Sequence, residues 1–380
     1  MQKPNKADVS PESDARAAIE FAALQDAATE LLSIGLDFYG IRVRVDCDFA
    51  ESLQRVAEDF RYFGRPLAPD DEVALTISMR KRPPDYDRLP PLTASIYTPR
   101  NICFTEGDIT FIDYFGRALA RYDRSRNRVE VTSDNLSLLQ EIAYLTILSR
   151  VGDALDRRGL HRLHALGVGR DGRAALFLMP SGCGKSTLGL GLMQARVGLE
   201  LVSDDSPLIS RRGRVLPFPL RLGVLGAPPP GIPERFVQQM ERMEFAPKYL
   251  VSIRAFEGSL AEGELQPKLI FLAERILGTG CRIRRVGFLA GYGACIRHMI
   301  VGVGIYQGLE FILRTSVLDL LRSVPAVISR AISAASLLAR ARVYRLQLGR
   351  DTRRNLDTIL EFLGTELTGP PGAARTEPAS

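Results

Sequence analysis

The segment Ser181-Gly182-Cys183-Gly184-Lys185-Ser186-Thr187 combines two glycines with a lysine and three hydroxyl groups. Glycines let a backbone wrap closely around a phosphate with its amide hydrogens turned inward. A lysine at this spacing reaches the β- and γ-phosphates, and the following serine hydroxyl can ligate Mg2+. The pattern predicts a P-loop, with Ser181, Gly182, Cys183, Gly184, Lys185, Ser186 and Thr187 binding ATP and Ser186 also contacting Mg2+. The alternative is a glycine-rich turn with an incidental lysine.

The motif departs from its usual form at one position. The pattern GxxxxGK[ST] places its first glycine at position 179, where this chain has Met179. That glycine assists the turn and should not approach the phosphates as closely as the later ones. We therefore expect the loop to bind phosphate despite the substitution.

Two adjacent carboxylates, Asp204 and Asp205, follow the next apolar strand of the sequence. They should emerge at the same end of the sheet as the P-loop, where open α/β sheets bind ligands. One of them would hold Mg2+, a role we assign to Asp205 together with Ser186, and one would accept the proton of an attacking hydroxyl. Which carboxylate is the base stays open. A turn or helix cap is the alternative role for the pair.

The elements around these residues follow a strand, loop, helix and strand order. An apolar run at 174–179 predicts the first strand, 185–196 a helix closed by Gly198, and 199–203 the second strand. Further strands are predicted at 268–273 and 343–348, and a closing helix at 351–363. The proline- and glycine-rich residues 207–233 predict a long surface loop.

The first part of the chain has a different pattern. We predict a helix over 15–32, short strands at 41–46, 74–77, 102–105, 109–114 and 128–131, and a helix from Asn135 onward. The sequence thus divides into a smaller N-terminal α+β module at 1–155, an α/β domain holding the P-loop at 156–366, and a disordered tail at 367–380.

The motifs together resemble one family. Leu163-His164, residues 180–187 and Leu201-Val202-Ser203-Asp204-Asp205 are similar to the catalytic domain of HPr kinase/phosphorylase and its HPr-kinase-related relatives. The resemblance implies the P-loop kinase fold shared with phosphoenolpyruvate carboxykinase, ATP as donor and a serine hydroxyl as acceptor. It also implies a catalytic role for His164 and an assembly that is often a homo-oligomer. A lone histidine beside a strand is otherwise a structural residue.

The resemblance has a gap after the acidic pair. The arginine- and glycine-rich element of genuine HPr kinase/phosphorylases is missing there, so the resemblance does not extend to HPr as the substrate, and whether the reverse phosphorolysis occurs stays open. Arg221, Arg254 and Lys248 are candidates for a phosphate-clamping cation, with surface salt bridges as the alternative.

These observations predict an enzyme that transfers a phosphoryl group from ATP, with Mg2+, to a serine or threonine hydroxyl of a peptide or protein, or to a small hydroxyl metabolite. One alternative is a nucleotide-binding regulatory or scaffold protein that uses ATP to order residues 207–233 without phosphotransfer. A plain nucleotide hydrolase is another.

Composition restricts the remaining classes. Of the 380 residues, 46% are hydrophobic and 25% charged, which is typical of a globular protein. The net charge of +6 is spread along the chain without a nucleic-acid-binding motif, so no nucleic acid partner is expected. Five dispersed cysteines and no apolar stretch of membrane-spanning length indicate a cytoplasmic protein without a membrane partner.

Overall fold

The computed structural model describes residues 31–68, 70–180, 182–240, 248–300 and 317–367. Over these ranges the fold is mixed α/β, with sheets of eight and six strands and two small sheets of three. The α/β class predicted from the sequence is confirmed at this level. The predicted helix at 15–32 lies almost entirely outside the described residues, and Leu32 belongs to a strand.

The eight-stranded sheet is formed by the first third of the chain in the order β1-β2-β3-β8-β7-β6-β5-β4. Its strands are β1 (Leu32–Phe38), β2 (Ile41–Cys47), β3 (Leu75–Arg80), β4 (Ala94–Tyr97), β5 (Ile102–Glu106), β6 (Ile109–Asp113), β7 (Leu119–Asp123) and β8 (Arg128–Thr132). Gly107, at a φ of 56°, sits in the turn of the predicted β5–β6 hairpin. All five predicted strands of this region are present, while β1, β4 and β7 were not anticipated.

Two helices accompany this sheet, α1 (Ala50–Asp59) and α2 (Leu136–Arg157). The side chain of Asn135 accepts a hydrogen bond from the amide of Leu138 at 3.0 Å, so α2 starts where the sequence predicts. Its buried residues, among them Ile142 and Ile147, belong to the same apolar core as the strands. The helix ends at Arg157, and the chain then enters the second sheet system.

The six-stranded sheet has the order β12-β10-β11-β18-β20-β19. Its strands are β10 (Leu166–Arg170), β11 (Arg173–Leu178), β12 (Glu200–Ser203), β18 (Gln266–Arg275), β19 (Arg282–Arg285) and β20 (Arg342–Leu348). The helices of this region are α3 (Lys185–Gln194), α4 (Phe288–Ile300), α5 (Val317–Leu338) and α6 (Thr352–Glu366). Strands β11, β18 and β20 are parallel, whereas β10 is antiparallel to both β11 and β12. The carboxyl ends of β11, β12, β18 and β20 therefore meet at one edge.

The prediction of a surface loop over 207–233 is wrong. This stretch contains β13 (Leu208–Ser210), β14 (Val215–Leu216) and β15 (Leu222–Leu225), and Leu208, Val215 and Leu222 are fully buried. The first two strands form a small sheet with β9 (Leu160–Arg162), and β15 forms another with β16 (Val237–Met240) and β17 (Lys248–Val251). Strands of two to four residues are too short to show the alternation of apolar and polar residues that marks a strand. The prediction therefore rested on the glycine and proline content, which was misleading.

Residues of the segment 207–233 connect the two sheet systems. Phe218 and Leu220 pack in the same core as the eight-stranded sheet, and Ser203 Oγ donates to the Phe218 carbonyl at 2.8 Å. Leu367, the last described residue, is fully buried against the second system, so it is not part of a tail. The other residues of the predicted tail, 368–380, lie outside the described ranges. None of the described helices is both long and apolar enough to span a bilayer.

Candidate functional site

The predicted site residues lie at the edge of the sheet where the carboxyl ends of the parallel strands meet. The predicted P-loop follows β11, the acidic pair follows β12, and His164 stands just before β10, whose antiparallel direction brings its start to the same edge. The sheet topology thus gathers three segments that lie between His164 and Asp205, 41 residues apart in sequence. Ser181, the first predicted ligand, lies outside the described residues.

The loop after β11 contains two glycines in the left-handed region of backbone conformation. Gly182 and Gly184 have φ values of 81° and 90°, which side chains rarely tolerate, and Gly184 is the N-cap of α3. The positive end of α3 therefore faces the loop. Met179 has no positive φ and its side chain is fully buried in the core beneath the sheet. The departure from the motif is thus accommodated because position 179 needs no glycine in this backbone.

Lys185 is the centre of a polar cluster. Its Nζ lies 2.5 Å from Asp205 Oδ1 and within 3.2 Å of both ring nitrogens of His164. The ring Nδ1 of His164 is itself 3.1 Å from Asp205 Oδ1. The lysine side chain is 9% exposed and the Asp205 side chain 46% exposed, so the carboxylate forms the solvent-facing side of the cluster.

Asp204 faces the other way, toward the helix. Its Oδ2 accepts a hydrogen bond from Ser186 Oγ at 2.8 Å, while its buried Oδ1 has no hydrogen-bond partner within the described part of the chain. The metal contact of Ser186 with Asp205 stays a prediction, and here the serine hydroxyl donates a hydrogen bond to Asp204.

The two carboxylates have opposite protonation tendencies. Burial, together with the neighbouring charge of Asp205, raises the pKa of Asp204 to about 6, against the hydrogen bond from Ser186. Burial also acts to raise the pKa of Asp205, but the hydrogen bond from His164 and the charge of Lys185 outweigh it and hold that pKa well below its usual range. The pair titrates as a unit in which Asp205 ionises first.

Sequence reasoning missed His298, which lies 134 residues from His164 on α4. Its Nδ1 donates to the His164 carbonyl at 2.9 Å, and the His164 amide donates to the His298 carbonyl at 3.1 Å. The two rings lie nearly parallel with centroids 5.9 Å apart. Burial, together with the electrostatic effect of neighbouring groups such as Lys185, lowers the pKa of His298 to about 4, and its hydrogen bonds fix the position of His164.

Arg275 was also missed. It ends β18, and its Nε donates to the Cys183 carbonyl at 3.0 Å while Nη1 donates to the Gly349 carbonyl at 3.2 Å. A Cβ on Gly184 would lie 2.6 Å from its Nη2, so the guanidinium covers the loop at the start of α3. The signal in the sequence was its position two residues after the strand predicted at 268–273.

The three cations proposed from the sequence as phosphate ligands have different surroundings. Arg221 Nη1 forms an ion pair with Asp59 Oδ2 at 2.7 Å, both side chains being under a tenth exposed, and its guanidinium lies 4.0 Å from the centre of the Tyr144 ring. It is neither a surface salt bridge nor a free cation. Arg254 is exposed and lies near the Phe236 ring. Lys248 contributes to the electrostatics of Asp204.

The oxygens of Asp204 and its neighbour Ser186 indicate whether a metal ion would fit at this site. Among the described residues no group of three or more histidine, cysteine or acidic side chains could hold a metal alone. Mg2+ in nucleotide sites takes one or two protein oxygens and completes its shell with water and phosphate. Ser186 Oγ and the unpartnered Asp204 Oδ1 offer such oxygens, so the residues fit a magnesium ion that arrives with a nucleotide.

Comparisons with known proteins add no identification: no family model matches the chain, and no curated protein matches it significantly.

Proposed function

We propose that this chain transfers the γ-phosphoryl group of ATP, in a Mg2+-dependent reaction, to a serine or threonine hydroxyl of a peptide or protein, or to a small hydroxyl metabolite. The observation that carries the proposal is the cluster of Lys185, Asp205 and His164 beside a loop with two left-handed glycines at the start of α3. This cluster combines phosphate ligands with an ionised carboxylate at one end of a helix.

The binding step assigns the phosphates to the loop and its flanking cations. Amides of residues 182–187 and the positive end of α3 face the anion. Lys185 moves from Asp205 to the terminal phosphates, and Arg275 supplies a second positive charge from above Gly184. Ser186 and Asp204 would hold Mg2+, which when bound neutralises phosphate charge.

The transfer step needs a base for the acceptor hydroxyl. Asp205 is better placed than Asp204, because its side chain is 46% exposed and borders Lys185, where the γ-phosphate would lie. Once Lys185 pairs with phosphate, one of the interactions that lowers the pKa of Asp205 is lost, and its affinity for a proton rises. The hydroxyl proton then passes to Asp205, while His164, held by His298, orients that carboxylate.

The resemblance to the HPr kinase/phosphorylase family supports the same chemistry through residues 180–187 and 201–205. The P-loop kinase fold, the cytoplasmic location, the homo-oligomer and the absence of nucleic acid and membrane partners remain predictions. The scaffold alternative required ATP to order residues 207–233. Since part of that segment already forms β13, β14 and β15, with Leu208, Val215 and Leu222 fully buried, no observation favours that alternative.

The test is transfer of labelled γ-phosphate to serine and threonine peptide libraries, with and without Mg2+. Lys185→Ala should weaken ATP binding by at least about tenfold, because a charge-assisted hydrogen bond contributes about 1.5–3 kcal/mol. Asp205→Asn should keep ATP binding and lose transfer. Lys81→Ala, at an exposed lysine that directly follows β3 and lies over the Phe49 ring, is the matched control. Tight ATP binding without transfer or hydrolysis in the wild type would contradict the proposal.

A further inference from the structure

A cavity of about 410 Å3 lies beside the predicted P-loop and the first turns of α3. Its lining includes Gly184 and Thr187 of the loop and helix start, so it begins where the phosphates end. Its volume falls within the range of about 300–1,000 Å3 that is typical of small-molecule sites. The cavity is therefore both close enough and large enough to receive the remainder of a bound nucleotide.

The walls of the cavity are mainly apolar. Leu188 and Leu356 contribute from α3 and α6, and Val224, Leu225 and residues 227–230 contribute from the turn after β15. Leu225 is 59% exposed, an apolar surface open to a ligand. Flat prolines and branched aliphatic side chains suit the two faces of an aromatic ring.

Two of the polar side chains at the cavity are already engaged. Gln194 Nε2 donates to the Pro230 carbonyl at 2.7 Å, which fixes the proline turn against α3. Asn355 accepts from the Gly349 amide and donates to the Gly349 carbonyl, which fixes the loop before α6. These amides shape the walls instead of reading the edge of a ring.

From this placement we infer that the cavity binds the nucleoside of the donor nucleotide, holding the base by apolar contact with weak selectivity between adenine and guanine. The inference rests on the proposed function, because it needs the triphosphate to lie on the loop at Lys185. It defines the donor class as purine nucleoside triphosphates. A pocket that reads a ring mainly by contact rejects a similar ring weakly, so ATP and GTP should bind within about tenfold of each other.

The test compares ATP, GTP and inorganic tripolyphosphate by titration calorimetry with the full chain. Ala227→Trp fills the cavity from an exposed position, and Leu225→Ala removes a contact. We expect Ala227→Trp to weaken ATP and GTP by about tenfold or more and Leu225→Ala by about three- to tenfold, with tripolyphosphate unchanged within about twofold. Ala290→Trp and Leu289→Ala, exposed positions on α4, are the matched controls and should change none of the three ligands.

The outcomes separate the two proposals. ATP binding that is lost in Lys185→Ala but insensitive to Ala227→Trp would overturn the nucleoside assignment alone. An equal loss of ATP and tripolyphosphate in Ala227→Trp would overturn it as well, since the cavity would then influence only the loop. A preference of one purine over the other by more than about a hundredfold would refute the weak selectivity. If the wild type bound neither ATP nor tripolyphosphate, the proposed function and this inference would both be wrong.

Discussion

Replacing Asp204 by asparagine should stabilise the nucleotide-free protein while it abolishes phosphoryl transfer. The Asp204 carboxyl is 7% exposed, and its Oδ1 has no hydrogen-bond partner in the described ranges. Asparagine removes the buried charge and keeps a polar group beside Ser186. The carboxylate that would hold Mg2+ is lost by the same change, so stability and activity should move in opposite directions.

The magnitude follows from the pKa of Asp204, which is raised from 3.8 to about 6. A difference of about two units corresponds to about 3 kcal/mol, at 1.36 kcal/mol per unit. The amide must still satisfy its own hydrogen bonds, which offsets part of the gain, and we expect a net stabilisation of about 1–2 kcal/mol near pH 7.5.

The sign of the pH dependence provides the sharper test. Because the folded pKa of Asp204 is raised, its contribution to stability is present below pH 3.8 and is lost as the pH rises to about 6. The advantage of Asp204→Asn should therefore be largest above pH 6 and shrink as the pH falls toward 4. Urea unfolding of both proteins across this range measures it.

Asp205→Asn is the matched control. It removes the acceptor of Lys185 and His164, so it should destabilise the protein although it is the neighbouring and chemically identical change. An Asp204→Asn protein that is less stable than the wild type at pH 7.5, or a stability difference that does not change with pH, would refute the reasoning.

Three further perturbations test other parts of the site. Arg221→Met should destabilise the fold by about 3–5 kcal/mol in urea unfolding, because it leaves Asp59 buried without its cation. Adding Asp59→Asn should recover most of the lost stability, and an unchanged stability in Arg221→Met would contradict the importance of the ion pair. Arg275→Ala should lower kcat/KM for ATP by about ten- to a hundredfold, with Arg285→Ala, an exposed arginine of β19, as the silent control; equal effects would show that only net charge matters. Alkylation of Cys183 should slow when Mg-ATP covers the loop, and equal rates with and without nucleotide would place the nucleotide elsewhere.

The local features of the site could be predicted from the sequence. The helix begins at Lys185 and the second strand ends at Ser203, as the pattern indicates, because each of these signals lies within a few residues of the element it defines. The neighbourhood of Lys185 and Asp205 followed from the general rule that ligands gather at the carboxyl ends of strands.

The missed features depend on contacts between distant parts of the chain. His298 reaches His164 across 134 residues, and Arg221 reaches Asp59 across 162. Neither pair follows from the periodicity of the sequence. Each depends on the tertiary packing of a helix, α4 for His298 and α1 for Asp59. The short strands of 207–225 were not predicted for a related reason. Their burial depends on contacts with residues that are distant in sequence.

The resting cluster also bears on which ligands the loop can capture. Lys185 is nearly buried and already paired with Asp205. A phosphate that binds Lys185 must replace this ion pair, so its binding free energy includes only the difference between the lysine–phosphate and lysine–carboxylate interactions. A single phosphate gains little from that exchange. A triphosphate can engage the loop amides and Arg275 together with Lys185, and its nucleoside can add the contacts of the neighbouring cavity. Under the proposed function the same exchange would release Asp205 from Lys185 and make the carboxylate a stronger base, so that donor binding would activate the base for the acceptor.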